Sequence, residues 1–171
     1  DEAFYAQVSR EILQNNDWIK LTWGGGAWSD KPPLALWGTA VSYSIFGVNE
    51  FSARLVSAVS GIAIVGVLYL FGSSLFSRRA GIAASCFFMG TYHVLWSSKS
   101  GMLDMPLTLW TLLAFFFYYS AEEDRKYSFW ISISFSMAFL TKGVAALIIP
   151  ASIGVCVLST RRWRIVGNRY C

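Results

Sequence analysis

Long apolar runs fill most of this 171-residue chain, and its few ionisable residues stand between them. Hydrophobic residues make up 55% of the chain and charged residues only 14%, whereas an ordinary soluble domain has about 25% charged residues. Tryptophan and tyrosine lie near the ends of the apolar runs, where membrane proteins carry interfacial aromatic belts. The chain is therefore predicted to be an integral membrane protein, with membrane lipids among its partners.

The net charge of +4 is modest and is interpreted as an orientation signal and an attraction to the membrane surface. No aromatic-basic stripe of the kind that stacks on bases is present, so nucleic-acid binding is not expected. Three cysteines, Cys86, Cys156 and Cys171, have no paired spacing. Cys86 and Cys156 lie inside apolar runs, which predicts small buried thiols.

The pattern of apolar residues predicts an all-α fold. Residues 1–20 favour an amphipathic helix on the membrane, with Phe4, Val8 and Ile12 on its apolar side and Glu11 on its polar side. Residues 23–29 are predicted to be a flexible loop, and the apolar stretch 33–46 is too short to cross a bilayer, which takes about 20 residues. Predicted membrane segments follow at 52–76, 80–97, 104–121, 127–140 and 143–159.

These segments predict a multi-spanning helical bundle with an N-terminal extracytoplasmic loop of interfacial helices. The loop covers residues 1–51, and the transmembrane region covers 52–171 with about five apolar segments. The chain begins abruptly with two carboxylates and ends just after a basic cluster. We therefore expect a fragment, truncated at both ends and preceded in the parent protein by at least one membrane helix.

The basic residues of alternate loops predict the orientation. Eight lie on one side: Arg78, Arg79, Arg125, Lys126, Arg161, Arg162, Arg164 and Arg169. The opposite short loops hold Lys99 and Lys142, and counting Arg10, Lys20, Lys31 and Arg54 with them gives eight against six. The positive-inside rule makes the first side cytoplasmic.

This orientation brings the remaining charged clusters to one external face. They comprise Asp1, Glu2, Asp30, Lys31, Lys99, Asp104 and Lys142. An ionisable group near a bilayer is costly unless it has a partner or faces water, so the convergence predicts a functional site. Structural alternatives stay open: a helix-dipole contact for Asp1 and Glu2, a loop position for Lys31, an N-cap for Asp104, snorkelling for Lys142 and an ion pair with Glu50 for Arg54.

Carboxylates that face a group of cations suit the transfer of a group from a phosphate-linked carrier. A carboxylate accepts the proton of the attacking hydroxyl, and cations stabilise the charge on the departing phosphate. The single histidine, His93, has no neighbouring ligands in the sequence and is interpreted as a core residue, so the metal content of the site is left open.

Several ordered motifs carry a family resemblance: DEAxYA at 1–6, DKPPL at 30–34, FGxNEFSAR at 46–54, LDxPL at 103–107 and AFLTKG at 138–143. With them the chain resembles the bacterial polyprenyl-phosphate-sugar glycosyltransferases. These are relatives of the dolichyl-phosphate-mannose–protein mannosyltransferases and of the aminoarabinose transferase that modifies lipid A. The resemblance covers essentially the whole chain.

The resemblance implies a fragment of a larger C-type glycosyltransferase of the bacterial inner membrane, with its site facing the periplasm. The implied donor is a polyprenyl-phosphate sugar, the acceptor a hydroxyl or phosphate of a glycan, lipid or protein, and the mechanism inverting. By position in the motifs, the implied catalytic residues are Asp1, Glu2 and Asp104, and the implied substrate-binding residues are Asp30, Lys31, Arg54 and Lys142. Some members bind a divalent cation near the position of Asp30 and Lys31; no other cofactor is implied.

Two other classes of protein are compatible with an apolar, multi-segment chain but fit its charge pattern less well. A non-enzymatic membrane subunit or transporter would distribute charges through the depth of the bilayer, whereas here they gather at one face. A lipid phosphatase or acyltransferase would need a nucleophile or several histidines. The sequence names neither the sugar nor the acceptor.

Overall fold

The computed structural model describes residues 2–122 and 124–160. Asp1 and the four arginines after residue 160 therefore lie outside the described residues. The elements run in the order α1 (Glu2–Asn15), β1 (Thr22–Trp23), β2 (Gly26–Ala27), α2 (Leu34–Phe46), α3 (Glu50–Leu75), α4 (Arg78–Gly90), α5 (Tyr92–Lys99), α6 (Asp104–Ser120), α7 (Tyr127–Lys142), a 3₁₀ helix (Gly143–Leu147) and α8 (Ile148–Thr160).

Helix α1 packs on α2 through an apolar face and ends at Asn15, before a left-handed residue at Asn16 (φ 50°). Val8 and Ile12 are buried as expected, but Phe4 is 47% exposed and Glu11 is buried. The predicted polar face was therefore wrong at Glu11. Its carboxylate lies beneath the segment that follows α1, and a helical wheel cannot show that contact.

The segment predicted to be a flexible loop at 23–29 contains a small β-hairpin. Thr22 pairs with Ala27 and Trp23 with Gly26. The two residues between the strands, Gly24 and Gly25, both have positive φ (59° and 81°), as a two-residue hairpin turn of this hand requires. The hairpin leads directly to Asp30 and Lys31.

Helix α3 is 26 residues long, or about 39 Å, which exceeds the thickness of a bilayer core. Its N-terminus has a capping box, in which the Asn49 side chain accepts from the Ser52 N–H and the Ser52 hydroxyl accepts from the Asn49 N–H. The predicted segment 52–76 is confirmed within two residues at each end.

The predicted continuous segment 80–97 was wrong. The helix breaks at Thr91, so α4 and α5 are separate, and Arg78 and Arg79 form the first turn of α4 rather than a loop. Within the described residues, two helical stretches are long and apolar enough to cross a membrane, Glu50–Leu75 and Tyr127–Leu158. A third exists if α5 and α6, which meet at 116°, count as one span.

The stretch 127–158 is not one straight helix. Gly143 has a φ of 57° and ends α7. Ile131 and Val157 nevertheless line the same groove of about 440 Å³, whereas a straight helix would separate residues 26 positions apart by about 39 Å. Helix α8 therefore turns back instead of continuing α7, and it packs against α6 through Ile149 and Ala114. The structure thus has the two helices expected at 127–140 and 143–159.

Three expected core residues lie on the surface of the described chain. Cys86 and Cys156 are exposed, and so is His93, whose ring stacks at 6.3 Å from that of Trp96. Those expectations were wrong because an apolar run in a membrane protein does not imply an inward-facing side chain. An apolar side chain of a membrane helix can face lipid or another part of the protein instead of the interior of the bundle.

Serine and threonine hydroxyls bond mostly to the backbone. Several donate to the carbonyl four residues earlier in their own helix, such as Ser60 to Val56 (2.7 Å). Two others cross between segments: Ser57 on α3 donates to the Met102 carbonyl (2.7 Å), and Ser85 on α4 donates to the Val65 carbonyl (3.0 Å).

Helices α3 and α4 approach most closely at a pair of glycines. A Cβ atom added to Gly72 would lie 2.9 Å from the Gly81 Cα, and one added to Gly81 would lie 2.5 Å from the Tyr69 carbonyl oxygen. Backbone atoms cannot yield as a flexible side chain can, so this crossing tolerates no side chain.

We expect Gly81→Ala to destabilise the full-length protein by about 1–3 kcal/mol, because the new methyl overpacks the α3–α4 contact. Thermal unfolding in detergent measures the effect as a lower Tm. The matched control is Gly66→Ala on α3, where an added Cβ has no atom within 4 Å. An equal Tm for the two variants would contradict the described crossing.

Candidate functional site

An ion pair joins the start of α6 to the end of α7. The Nζ atom of Lys142 lies 2.5 Å from Oδ1 of Asp104. Asp104 is not the N-cap of α6, since Leu103 occupies that position without a side-chain capping bond. The alternatives of an N-cap aspartate and a lone snorkelling lysine are therefore replaced by a pair.

A second lysine–aspartate pair follows the β-hairpin. The Nζ atom of Lys31 lies 3.1 Å from Oδ2 of Asp30, and the Lys31 side chain is the less exposed of the two (29% against 65%). The next residue, Pro32, contacts Gly143, since a Cβ on that glycine would lie 3.6 Å from the Pro32 Cγ. Pro32 follows Lys31 in the chain and Gly143 follows Lys142, so this proximity brings the two ion pairs close together.

Tyr5 of α1 lies beside these two pairs. Its ring is 9% exposed and is edge-on to Trp28 at 6.5 Å. Burial raises the pKa of the Tyr5 hydroxyl, and the phenol is close enough to interact electrostatically with Lys31, Asp30 and Asp104. The hydroxyl is therefore protonated at neutral pH. Four separate segments thus converge here: α1, the loop before α2, α6 and α7.

Glu2 and Arg54 form a third ion pair, between α1 and α3. The Arg54 Nε lies 2.6 Å from Glu2 Oε1, and its Nη1 lies 3.5 Å from Glu50 Oε2. Burial by itself raises the pKa of Glu2. The hydrogen bonds from Arg54 and from the Gly101 N–H, together with the Arg54 charge, lower it below its ordinary value. Glu2 is therefore ionised at neutral pH.

The Glu2–Arg54 pair adjoins the two lysine pairs without touching them. Glu2 and Tyr5 are three residues apart on α1, so they lie on one side of its first turn. Arg54 and Lys99 line a groove of about 350 Å³ beside α3 and α5. All the predicted site residues that the structure describes lie at one end of the bundle; Asp1 lies outside the described residues.

The described carboxylates do not form a metal centre. In the segments 2–122 and 124–158, no three His, Cys, Asp or Glu side chains lie close enough together to hold an ion. Asp30, the expected carboxylate for a divalent cation, is paired with the Lys31 ammonium, which repels one. The described donor set therefore does not fit the divalent cation that the resemblance allows near Asp30 and Lys31.

Sequence reasoning missed the part that Glu11 plays in positioning the hairpin. Its carboxylate accepts from the Thr22 hydroxyl (2.7 Å), the Gly24 N–H (2.8 Å) and the Gln7 side chain (2.9 Å). The signal was present in the sequence. A glycine turn exposes backbone N–H groups that need an acceptor, and Glu11 is the carboxylate in the α1 turn that precedes it.

We expect the hairpin to loosen in acid. The hydrogen bonds from Gln7 and then Thr22 lower the pKa of Glu11 below its ordinary value of 4.5. The stabilisation is therefore fully present above that value and is lost as pH falls through the lower, folded-state pKa. The measurement is the hydrogen-exchange protection factor of the Gly24 amide, corrected for the intrinsic pH dependence of exchange.

Glu11→Gln should reduce this protection and make it independent of pH. The control is Asp17→Asn, since Asp17 accepts from the Ile19 and Lys20 amides and does not touch the hairpin turn. Unchanged Gly24 protection in Glu11→Gln would contradict the role given to Glu11.

Fold and site together define a multi-spanning membrane protein with a charged site at one end of its helical bundle. Residues 30–171 match the family described as dolichyl-phosphate-mannose-protein mannosyltransferase, and the chain belongs to this family. The resemblance drawn from the sequence is thereby confirmed.

Two curated relatives are named undecaprenyl phosphate-alpha-4-amino-4-deoxy-L-arabinose arabinosyl transferase. The one from Pseudomonas savastanoi pv. phaseolicola is 33% identical over 159 residues, which cover 90% of this chain and 30% of the relative. The one from Pseudomonas aeruginosa (strain UCBPP-PA14) is 30% identical over 172 residues, which cover 96% and 31%. The chain thus spans about a third of the length of these relatives.

The fold is similar to that of a solved membrane enzyme. Crystal structures of ArnT from Cupriavidus metallidurans, in the apo state and bound to undecaprenyl phosphate, each superpose with a TM-score of 0.88 at 28% identity. The match covers 95% of this chain and 32% of the ArnT chain. The predicted all-α membrane fold is confirmed.

Proposed function

We propose that the full-length protein is a glycosyltransferase of the bacterial inner membrane. It moves a sugar from a polyprenyl-phosphate carrier to a hydroxyl or phosphate of an extracytoplasmic glycan, lipid or protein. The observation that carries the proposal is the convergence of Tyr5, Lys31, Asp104 and Lys142 from four segments at one end of the bundle. The names of the relatives and the undecaprenyl phosphate in one ArnT structure support a carrier of this class.

The two lysines are suited to the carrier phosphate. Lys31 and Lys142 are each paired with an aspartate and are each about one-third exposed, so both ammonium groups are accessible to a ligand. A phosphate oxygen can join either pair without a buried charge being left alone. In the transition state the two cations stabilise the charge that gathers on the departing phosphate.

Asp1 is the proposed general base. The acceptor oxygen attacks the anomeric carbon and the bond from that carbon to the phosphate oxygen breaks, with its electron pair staying on the phosphate. When the acceptor is a hydroxyl, its proton passes to the Asp1 carboxylate, whereas an ionised phosphate acceptor has no proton to lose. In both cases the attack inverts the anomeric centre. The departing carrier phosphate needs no proton donor, so a single general base is enough for the reaction.

The other two carboxylates of the proposed catalytic set are better suited to positioning. Glu2 accepts hydrogen bonds from Arg54 and Gly101, which lower its pKa and make it a weak base. It ties the first turn of α1, next to Asp1, to α3. Asp104 orients the Lys142 ammonium through their ion pair.

The site end is proposed to face the periplasm. Tyr119, near the end of α6, donates to the Ser74 carbonyl near the end of α3, so both helices run from the site to the same opposite end. The described basic residues Arg78 and Arg79 follow there, and a basic cluster at that end marks the cytoplasmic side.

We expect Asp1→Asn in the full-length protein to lower sugar transfer about 100-fold or more, because general base catalysis contributes about 10²–10⁴-fold. The measurement is transfer from labelled polyprenyl-phosphate sugars in membranes, with expression and insertion checked. Undiminished transfer would remove Asp1 from catalysis. No transfer by the unaltered protein across a broad panel of carriers would overturn the proposed function.

We expect Lys142→Met to lower transfer by about 100-fold, the size of effect seen when a donor to a developing anion is removed. The matched control is Lys126→Met. Lys126 is also paired with an aspartate, Asp124 (2.7 Å), but lies before α7, at the opposite end of that helix. Similar losses in the two variants would show that the effect is a general one of charge and not of the site.

A further inference from the structure

Tyr5 combines a buried ring with a hydroxyl that is still available. The ring belongs to the apolar core shared by α1 and α2, where it packs with Val8, Leu36 and Leu103. Within the residues that the structure describes, 2–122 and 124–158, no residue hydrogen-bonds the hydroxyl. Its oxygen is also not among the buried polar atoms that lack a partner, so it retains access to solvent. A phenylalanine would fill the core equally well, so packing leaves the hydroxyl unexplained.

The hydroxyl faces the charged end and not the core. Among the described residues, the charged groups that act on it are Lys31, Asp30 and Asp104. Asp104 already accepts a hydrogen bond from Lys142, and Asp30 forms an ion pair with Lys31. The phenol stays protonated at neutral pH. It is therefore a neutral donor placed near one lysine and two carboxylates, and no described residue accepts a hydrogen bond from it.

We propose that Tyr5 is a further substrate-contacting residue, whose hydroxyl donates a hydrogen bond to the phosphate of the polyprenyl carrier between Lys31 and the Asp104–Lys142 pair. The inference rests on the proposed function, since it takes the carrier phosphate as the ligand of this end. A phosphate supplies several strong acceptor oxygens, and no described residue accepts a hydrogen bond from Tyr5.

The phenol supplies something that the lysines do not. A lysine ammonium on a flexible stem attracts an anion from many directions and fixes no single geometry. The Tyr5 ring is immobilised by its packing against Trp28 and the core, so its hydroxyl oxygen has a fixed position. A fixed neutral donor orients one phosphate oxygen without adding charge that would hold the product phosphate too tightly.

The experiment measures lipid binding by the full-length protein in nanodiscs, alongside sugar transfer. Tyr5→Phe retains the ring and removes only the hydroxyl. We expect its Kd for polyprenyl phosphate to rise about tenfold, the loss expected for a hydrogen bond to a charged group. The KM for the phosphosugar donor should rise with it. Binding of polyprenol, which has no phosphate, should not change.

The matched control is Tyr119→Phe, which removes a tyrosine hydroxyl at the opposite end of α6. It should leave the Kd for polyprenyl phosphate unchanged. An unchanged Kd in Tyr5→Phe, or an equal loss of polyprenol and polyprenyl phosphate binding, would overturn the role of the hydroxyl. If the unaltered protein transfers sugar and Tyr5→Phe changes neither binding nor transfer, the role of Tyr5 is overturned but the proposed function is not. Absence of both transfer and phosphate-dependent binding in the unaltered protein would overturn both.

Discussion

The ion pair between Asp104 and Lys142 determines the geometry of the charged end. It joins the first residue of α6 to the last residue of α7. Gly143 then turns the chain and contacts Pro32, which places Lys31 close by. An ionisable group near a bilayer is costly unless it has a partner or faces water, and this pair gives each charge a partner at the membrane end of its helix. The helices, the turn and the loop after the hairpin are thus positioned by one electrostatic requirement.

The same requirement explains why three cations of this end are paired with carboxylates. Lys31, Lys142 and Arg54 each have an acidic partner within 4 Å. A site that waits for an anion in a poorly solvating place needs its positive charge balanced while it is empty. In the proposed reaction the carrier phosphate supplies the balancing charge, and the carboxylates then orient the cations. A cluster of unpaired cations would bind anions more tightly but would be less stable without them.

Sequence patterns predicted the elements that depend on local composition. The apolar run of α3 and the start of α6 at Asp104 were located closely, and charge alternation brought together the residues that the structure places at one end. Sequence patterns did not predict the interactions between segments that are far apart in the chain. The local pattern assigned Arg54 to Glu50, four residues away, whereas its shorter ion pair is with Glu2, 52 residues away. The burial of Glu11 depends on the hairpin that covers it, which a helical pattern does not show. The helix break at Thr91 has no proline that would predict it.

The backbone hydrogen bonds of the hydroxyl groups change how polar these helices are to a membrane. The hydroxyl of a serine such as Ser60 is already hydrogen-bonded within its own helix, so the surface that it exposes to the bilayer is small and mostly apolar. Hydropathy scales assign such a residue the penalty of a free hydroxyl, so they understate how readily these helices enter lipid. Ser57 and Ser85 use the same chemistry between segments. In a solvent that gives helices no hydrophobic reason to associate, a hydroxyl that crosses to a neighbouring carbonyl makes one particular arrangement preferable to others.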